Sequence, residues 1–168
     1  MVNKSKNITF HAVTLRIVFG IIWLIDAILK WLPGFNNGFM EEIKSAAQGQ
    51  PDWLHWWFQF WIQLLSHNQQ FFVIIIAVIE SLIAIALLLG FARRTTYIAS
   101  AIFSLLIWSV GEGFGGPYVS GSTDIGAAII YVLVFYALYV LDQAVKENWS
   151  IDNYIIKKLP WWAFIANP

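Results

Sequence analysis

Between Phe71 and Ala92 the chain runs for 22 residues with one ionisable side chain, Glu80. About 20 mostly apolar residues in a helix cross the hydrocarbon core of a bilayer, so this stretch reads as a membrane span with a carboxyl near its middle. Three further stretches fit the same template: about 10–32, closed by Pro33 and Gly34, then about 95–113 and about 123–141. The last two have apolar centres of roughly 17 residues, at Thr95 to Gly111 and Ile125 to Leu141, and extend into polar flanks. Only 12% of the 168 residues are charged and 59% are apolar, too few polar groups to cover a water-soluble domain of this size. The expected fold class is an all-α integral membrane protein, a single domain over 1–168 built as a four-transmembrane-helix bundle with a cytoplasmic tail at 142–168.

The remaining composition excludes whole classes of chemistry. Ten positive and ten negative charges give net zero, without the basic footprint of a nucleic-acid binder. The absence of Cys removes disulfides, thiolate metal sites, iron–sulfur clusters and catalytic thiols. His11, His55 and His67 supply no metal or haem set, so no metal is expected. The first span follows Lys4 and Lys6 as a signal peptide would, but it contains Arg16, Asp26 and Lys30 and lacks a small-residue cleavage site; a retained helix is expected.

Lys4, Lys6, Arg93, Arg94, Lys146, Lys157 and Lys158 fall on one side of the four spans, against Lys30 and Lys44 on the other, beside Glu41, Glu42, Asp52, Glu112 and Asp124. The positive-inside rule then places both termini in the cytoplasm, in a multi-pass protein of the cell membrane. Asn7-Ile-Thr9 and Asn148-Trp-Ser150 are chance matches to glycosylation acceptors on that side. Over about 51–65, His55, Gln59, Gln63 and Ser66 form one polar stripe, with Trp53, Trp56, Trp57, Phe60 and Trp61 away from it. That pattern predicts an amphipathic helix lying in the outer interface. Leu159-Pro-Trp-Trp-Ala-Phe164 predicts a second, cytoplasmic anchor.

An ionisable residue at membrane depth is a functional candidate because its burial is costly. At 100° per residue Arg16, Gly20, Trp23, Asp26, Ala27 and Lys30 share an arc of roughly 120°, which faces the bundle because lipid cannot solvate it. Asp26 and Lys30 pair at helical spacing. Glu80, with Ala77 and Ala84 on its face, is either a proton-handling group or a carboxyl that glues helices together, with Arg16 as one possible partner. Glu112 ends the third span, where the helix dipole disfavours an anion, so a cationic or protonated partner is expected. Asp124 opens the fourth span behind Ser122 and Thr123, where cap and dipole both favour a carboxylate. Asp26, Lys30, Glu112 and Asp124 share one depth and predict a polar cluster at the outer ends. Above it, Gly113, Gly115, Gly116 and Pro117 form a tight loop able to approach a ligand or a neighbouring helix, with Trp108 and Tyr118 at its ends.

With these residues placed, the chain resembles the DoxX-like membrane proteins, a family that includes the DoxD subunit of thiosulfate:quinone oxidoreductase. The resemblance spans about residues 10–141. It rests on Arg16…Gly20…Asp26…Lys30-Trp-Leu-Pro-Gly34, a carboxylate in the second span, Gly-Phe-Ala-Arg-Arg94, and Trp108-Ser-Val-Gly-Glu-Gly-Phe-Gly-Gly-Pro-Tyr118 leading to Thr123-Asp124-Ile-Gly126. It implies a subunit linked to quinone-coupled electron transfer. A quinone needs an apolar slot, aromatic walls and proton donors or acceptors near its carbonyls. Glu80, Glu112, Asp26 and Asp124 are the candidate catalytic carboxylates, and Arg16, Lys30, Trp23, Trp108, Tyr118 and Tyr131 the candidate ligand-binding residues, with Phe135 as a further wall. The sequence has no electron carrier of its own, so the implied partners are the bilayer and other membrane subunits or further copies of the chain. The alternative is a structural or accessory subunit whose buried charges fix helix register. No inverted repeat or broken helix supports a transporter.

Overall fold

The computed structural model describes residues 2–118, 124–144 and 149–166, with side chains from Ile8 onward. These residues form eight α-helices and three short 3-10 turns, without strands: α1 (Val2–Lys30), α2 (Pro33–Ala46), α3 (His55–His67), α4 (Gln69–Leu89), α5 (Arg93–Val110), α6 (Ala128–Ala144), α7 (Ile151–Lys158) and α8 (Ala163–Ala166).

The longest helices arise where the apolar runs are longest, and their ends are set by breakers and caps. Pro33 both stops α1 and starts a new helix. Leu32 before it is extended, as a residue preceding proline prefers, and Pro33 occupies the first turn of α2, where its missing N–H costs nothing. The helix α2 was not expected from the sequence, because Gly34, Asn36, Asn37 and Gly38 mask the helical spacing of Phe35, Phe39 and Ile43. The expected interfacial helix at 51–65 is a 3-10 turn at Asp52–Leu54 followed by α3. The helix α5 stops at Val110 rather than near 113, and α6 begins at Ala128 rather than near 123. Ser122 and Thr123, its expected cap, lie outside the described residues.

Contacts between distant side chains give the helix directions. Arg16 meets Leu87 and Leu88 while Trp31 reaches Ser81, so α1 and α4 run antiparallel. Arg93 pairs with Asp142 at one end and Glu112 bonds Ala127 and Ala128 at the other, so α5 and α6 also run antiparallel. An aromatic core joins the two hairpins: Phe19 and Trp23 of α1 lie 4.9 and 5.5 Å from Phe135 of α6, and Tyr131 lies within 5.7 Å of both. Ala77 and Ala84 are buried on α4, and a Cβ at Gly20 would already sit 3.1 Å from Leu87 and Leu88, so small residues let α1 and α4 approach closely. Two helices, Ile8–Lys30 and Gln69–Leu89, are long and apolar enough to cross a membrane, and Ala128–Ala144 is a shorter apolar helix.

Gly90 ends α4 in the left-handed conformation, with φ 63°, and its N–H returns to the last turn. A Cβ there would stand 2.6 Å from Ser150 Cβ and 3.1 Å from its Cα, whereas one at Gly34 in α2 would meet nothing within 4 Å. Gly90→Ala should therefore lower unfolding free energy by about 1–3 kcal/mol. Gly34→Ala should raise it by up to about 1 kcal/mol. Thermal melting of both variants in one detergent checks the opposite signs.

Candidate functional site

Beyond the aromatic core the helices part, and a cavity of about 360 Å³ opens at the end of the bundle marked by Lys30. Its walls come from the last turns of α1 and α5, the first half of α4 and the start of α6, with α2 laid across it through Phe35, Phe39, Glu42 and Ile43, and Trp61 and Leu65 of α3 closing one side. The Nε2 of Gln69 donates to Asn36 O at 2.5 Å, tying α4 to α2 beside the cavity. Volumes of about 300–1,000 Å³ are usual for small-molecule sites.

The charged lining is Asp26 and Lys30 of α1, Glu42 of α2, Glu80 of α4 and Glu112 just after α5. Lys30 Nζ donates to Asp26 Oδ1 at 3.2 Å, lies 3.9 Å from Glu80 Oε2, and stands 4.9 Å from the centroid of Phe35. Glu80 is only 1% exposed, and its Oε2 has no hydrogen-bond partner among the described residues. A buried carboxylate held by a long ion pair alone is under-compensated, since desolvation costs more than such a contact returns. Tyr131 and Phe103 complete the lining near this group.

The structure thus brings together Asp26, Lys30, Glu80, Glu112 and Tyr131, and it separates the other sequence-predicted residues from them. Arg16 sits at the opposite end, donating to the carbonyls of Leu87, Leu88 and Trp149, and is no partner of Glu80. Ten residues of helix, about 15 Å, separate it from Asp26. Trp23 and Phe135 are buried in the core rather than on the cavity wall. Trp108 donates to Ile125 O at 2.7 Å and faces a second, outward-open apolar groove with Trp53, Trp56, Trp57 and Phe114. Tyr118 is exposed and donates to Phe114 O at 2.6 Å. Gly113, Gly115, Gly116 and Pro117 do not line the cavity; Gly115, at φ 74°, is required because the Ile125 backbone passes against it.

Two carboxylates exchange the roles expected of them. Asp124 is exposed, four residues ahead of α6, and among the described residues accepts a local turn bond from Gly126 N at 2.8 Å. Glu112 instead reaches across from α5 and accepts from Ala127 N at 3.2 Å and from Ala128 N at 3.0 and 3.2 Å. Its partner is the N-terminus of α6, where unbonded N–H groups and the dipole favour an anion, rather than a cation. Sequence spacing could not show this, because the cap belongs to a different helix from its donors.

A second charged centre was not foreseen. Arg93, counted from the sequence as a solvated loop charge, is buried and donates from Nη1 to Asp142 Oδ1 at 2.6 Å and from Nε to Asp152 Oδ2 at 3.2 Å. Asp152, fully buried, also accepts from Ala92 N, Arg93 N and Trp162 Nε1, which caps α5 and seats α7 against it. Residues 149–166, expected as a tail with an interfacial anchor, are helices docked on the bundle through these bonds. Three charged residues within 60 positions, two of them flanking apolar runs, were the available signal.

Among the described residues no group of three or more His, Asp or Glu is placed to hold a metal ion, and His11, His55 and His67 are exposed. The chain matches no protein-family model, no curated protein and no solved structure.

Glu112→Ala removes the acceptor for the first N–H groups of α6 and should cost about 1–2 kcal/mol of stability. Asp124→Ala, which loses one exposed turn bond, should cost less than about 0.5 kcal/mol. Unfolding midpoints of the two variants test the assignment, and equal losses would contradict it.

Proposed function

We propose that the chain is a multi-pass membrane protein in which α1, α4, α5 and α6 each cross the bilayer, with both termini in the cytoplasm, and that it holds a small ligand at its outer end. Apolar surface supports the spans. Only 39% and 33% of the apolar windows of α1 and α4 are buried, and Ile25, Leu82, Ile102 and Leu133 carry the exposed apolar faces around all four helices. Core helices of a soluble protein would be mostly covered. At 18 and 17 residues, α5 and α6 are about 26 Å long, close to the hydrocarbon thickness. The charge distribution supports the orientation: Arg94, Lys157 and Lys158 lie at the Arg16 end, and exposed Glu41, Glu42, Asp52 and Asp124 at the cavity end.

The chain has no Cys, so single introduced thiols report topology without background. A membrane-impermeant thiol reagent applied to intact cells should label Asp52→Cys and spare Lys158→Cys until the membrane is opened. The reverse pattern would invert the orientation, and labelling of both would remove the four-span reading.

The observation that carries the ligand reading is Glu80, buried on the wall of a cavity lined mainly by apolar and aromatic side chains. The sequence resemblance to the DoxX-like proteins suggests a form for the function: a subunit of a larger membrane assembly in quinone-coupled electron transfer. In that form Lys30 donates to a quinone carbonyl, Glu80 exchanges a proton at its carboxyl, Phe103 and Tyr131 wall the ring, and a partner subunit supplies the electrons. In the alternative, an accessory subunit, Glu80 would serve only to fix helix register. Titrating the purified chain with a tail-less benzoquinone, read by tryptophan fluorescence through Trp61, should give saturable binding that Glu80→Gln weakens at an unchanged melting temperature. Absence of any saturable ligand would leave the accessory reading.

A further inference from the structure

The cavity is lined by four carboxylates, Asp26, Glu42, Glu80 and Glu112, and by one ammonium, Lys30. Two of the four are engaged: Asp26 accepts from Lys30, and Glu112 is spent on the start of α6. Glu42 stands at the exposed rim, which leaves Glu80 as the deep one, with Lys30 Nζ 3.9 Å from its Oε2 and no hydrogen-bond donor to that oxygen among the described residues. A neutral acceptor ligand can use Lys30 but leaves Glu80 without a further donor. A cation complements Glu80.

The apolar walls point the same way. Phe35, Phe39, Trp61, Phe72, Phe103 and Tyr131 surround the cavity, and ring faces attract ammonium groups, more strongly where water is excluded. The chain demonstrates the contact itself, because Lys30 Nζ lies 4.9 Å over the Phe35 ring while facing Asp26 and Glu80.

We infer that the cavity takes a lipophilic organic cation, an ammonium group on an apolar or aromatic body, with Glu80 as its counter-ion and the aromatic side chains as its cage. This rests on the reading of the cavity as a ligand site and parts from the quinone form of it. The apolar body replaces the hydrocarbon environment from which such a molecule partitions, and the carboxylate supplies the charge that the bilayer cannot.

The test uses the full chain in a neutral detergent, with phenyltrimethylammonium as the cationic probe and a tail-less benzoquinone as the neutral one. Phenyltrimethylammonium should bind saturably and at least about tenfold more tightly than the quinone, a difference expected when a buried polar group of the site is left unpaired by the weaker ligand. Glu80→Gln should lower the cation's affinity about tenfold or more, and Glu41→Gln, an exposed carboxylate off the cavity, should leave it unchanged. Melting temperatures on the same preparations confirm folding, and the wild-type comparison of the two probes stands if Glu80→Gln does not fold. Saturable quinone binding that equals or exceeds that of the cation, or a cation affinity indifferent to Glu80→Gln, overturns the inference and leaves the cavity as a ligand site. Binding of neither probe overturns both readings.

Discussion

Helix ends beside an apolar exterior cannot hand their last peptide groups to water, and in this molecule a charged side chain from another segment closes them. Arg16 of α1 covers the final carbonyls of α4, Asp152 of α7 collects the first N–H groups of α5, and Glu112 of α5 collects those of α6. Each charge has the sign that the helix dipole favours at that end. The same bonds that satisfy the backbone therefore fix which helices are neighbours and at what height they stand. The aromatic core of Phe19, Trp23, Tyr131 and Phe135 fills the middle.

The cavity follows from that arrangement. Large rings pack the centre, while toward the Lys30 end the facing residues of α6 shrink to Ala127 and Ala128, and the helices separate. The chain leaves α1 through Pro33 straight into α2, which bridges the opening and contributes Phe35 and Phe39 as its cover. Glu80 stays buried beneath this cover because Ala77 and Ala84 on the same helix leave it room.

Elements whose signal lies in one continuous stretch were legible in the sequence. The apolar runs located four long helices, with α4 and α5 within three residues of the expected ends, α1 beginning eight residues early and α6 five residues late, and the Trp53 to Leu65 pattern located α3. The arc from Arg16 to Lys30 does face inward: Arg16, Trp23 and Ala27 are buried, and Asp26 and Lys30 half-buried. Counting along the helices put Asp26, Lys30 and Glu112 at one depth, and all three line the cavity; Asp124, counted with them, does not, and Glu80, read as mid-span, does. What remained hidden depended on pairings between segments. Asp124 looked like the cap of α6 because it precedes it, yet Glu112, fifteen residues before Ala127, performs the capping. Arg93 looked solvated because its acceptors, Asp142 and Asp152, lie about fifty and sixty residues further on. The helix α2 was lost among glycines and asparagines that disfavour helix locally and are overruled by burial of Phe39 and Ile43.

The reach of Arg16 also sets an order of events. Its guanidinium bonds carbonyls 71 and 72 residues later, and a third at Trp149, 133 residues later. At ribosomal speeds of about 5–20 residues per second, on the order of ten seconds pass between the synthesis of the arginine and that of its last acceptor. The first hairpin can form early, but the Arg16 end of the bundle stays open, with the start of α5 and the third acceptor of Arg16 incomplete, until residues 149–152 arrive. Closure of that end is thus a late step of assembly, made by a segment that follows all four long helices in the chain.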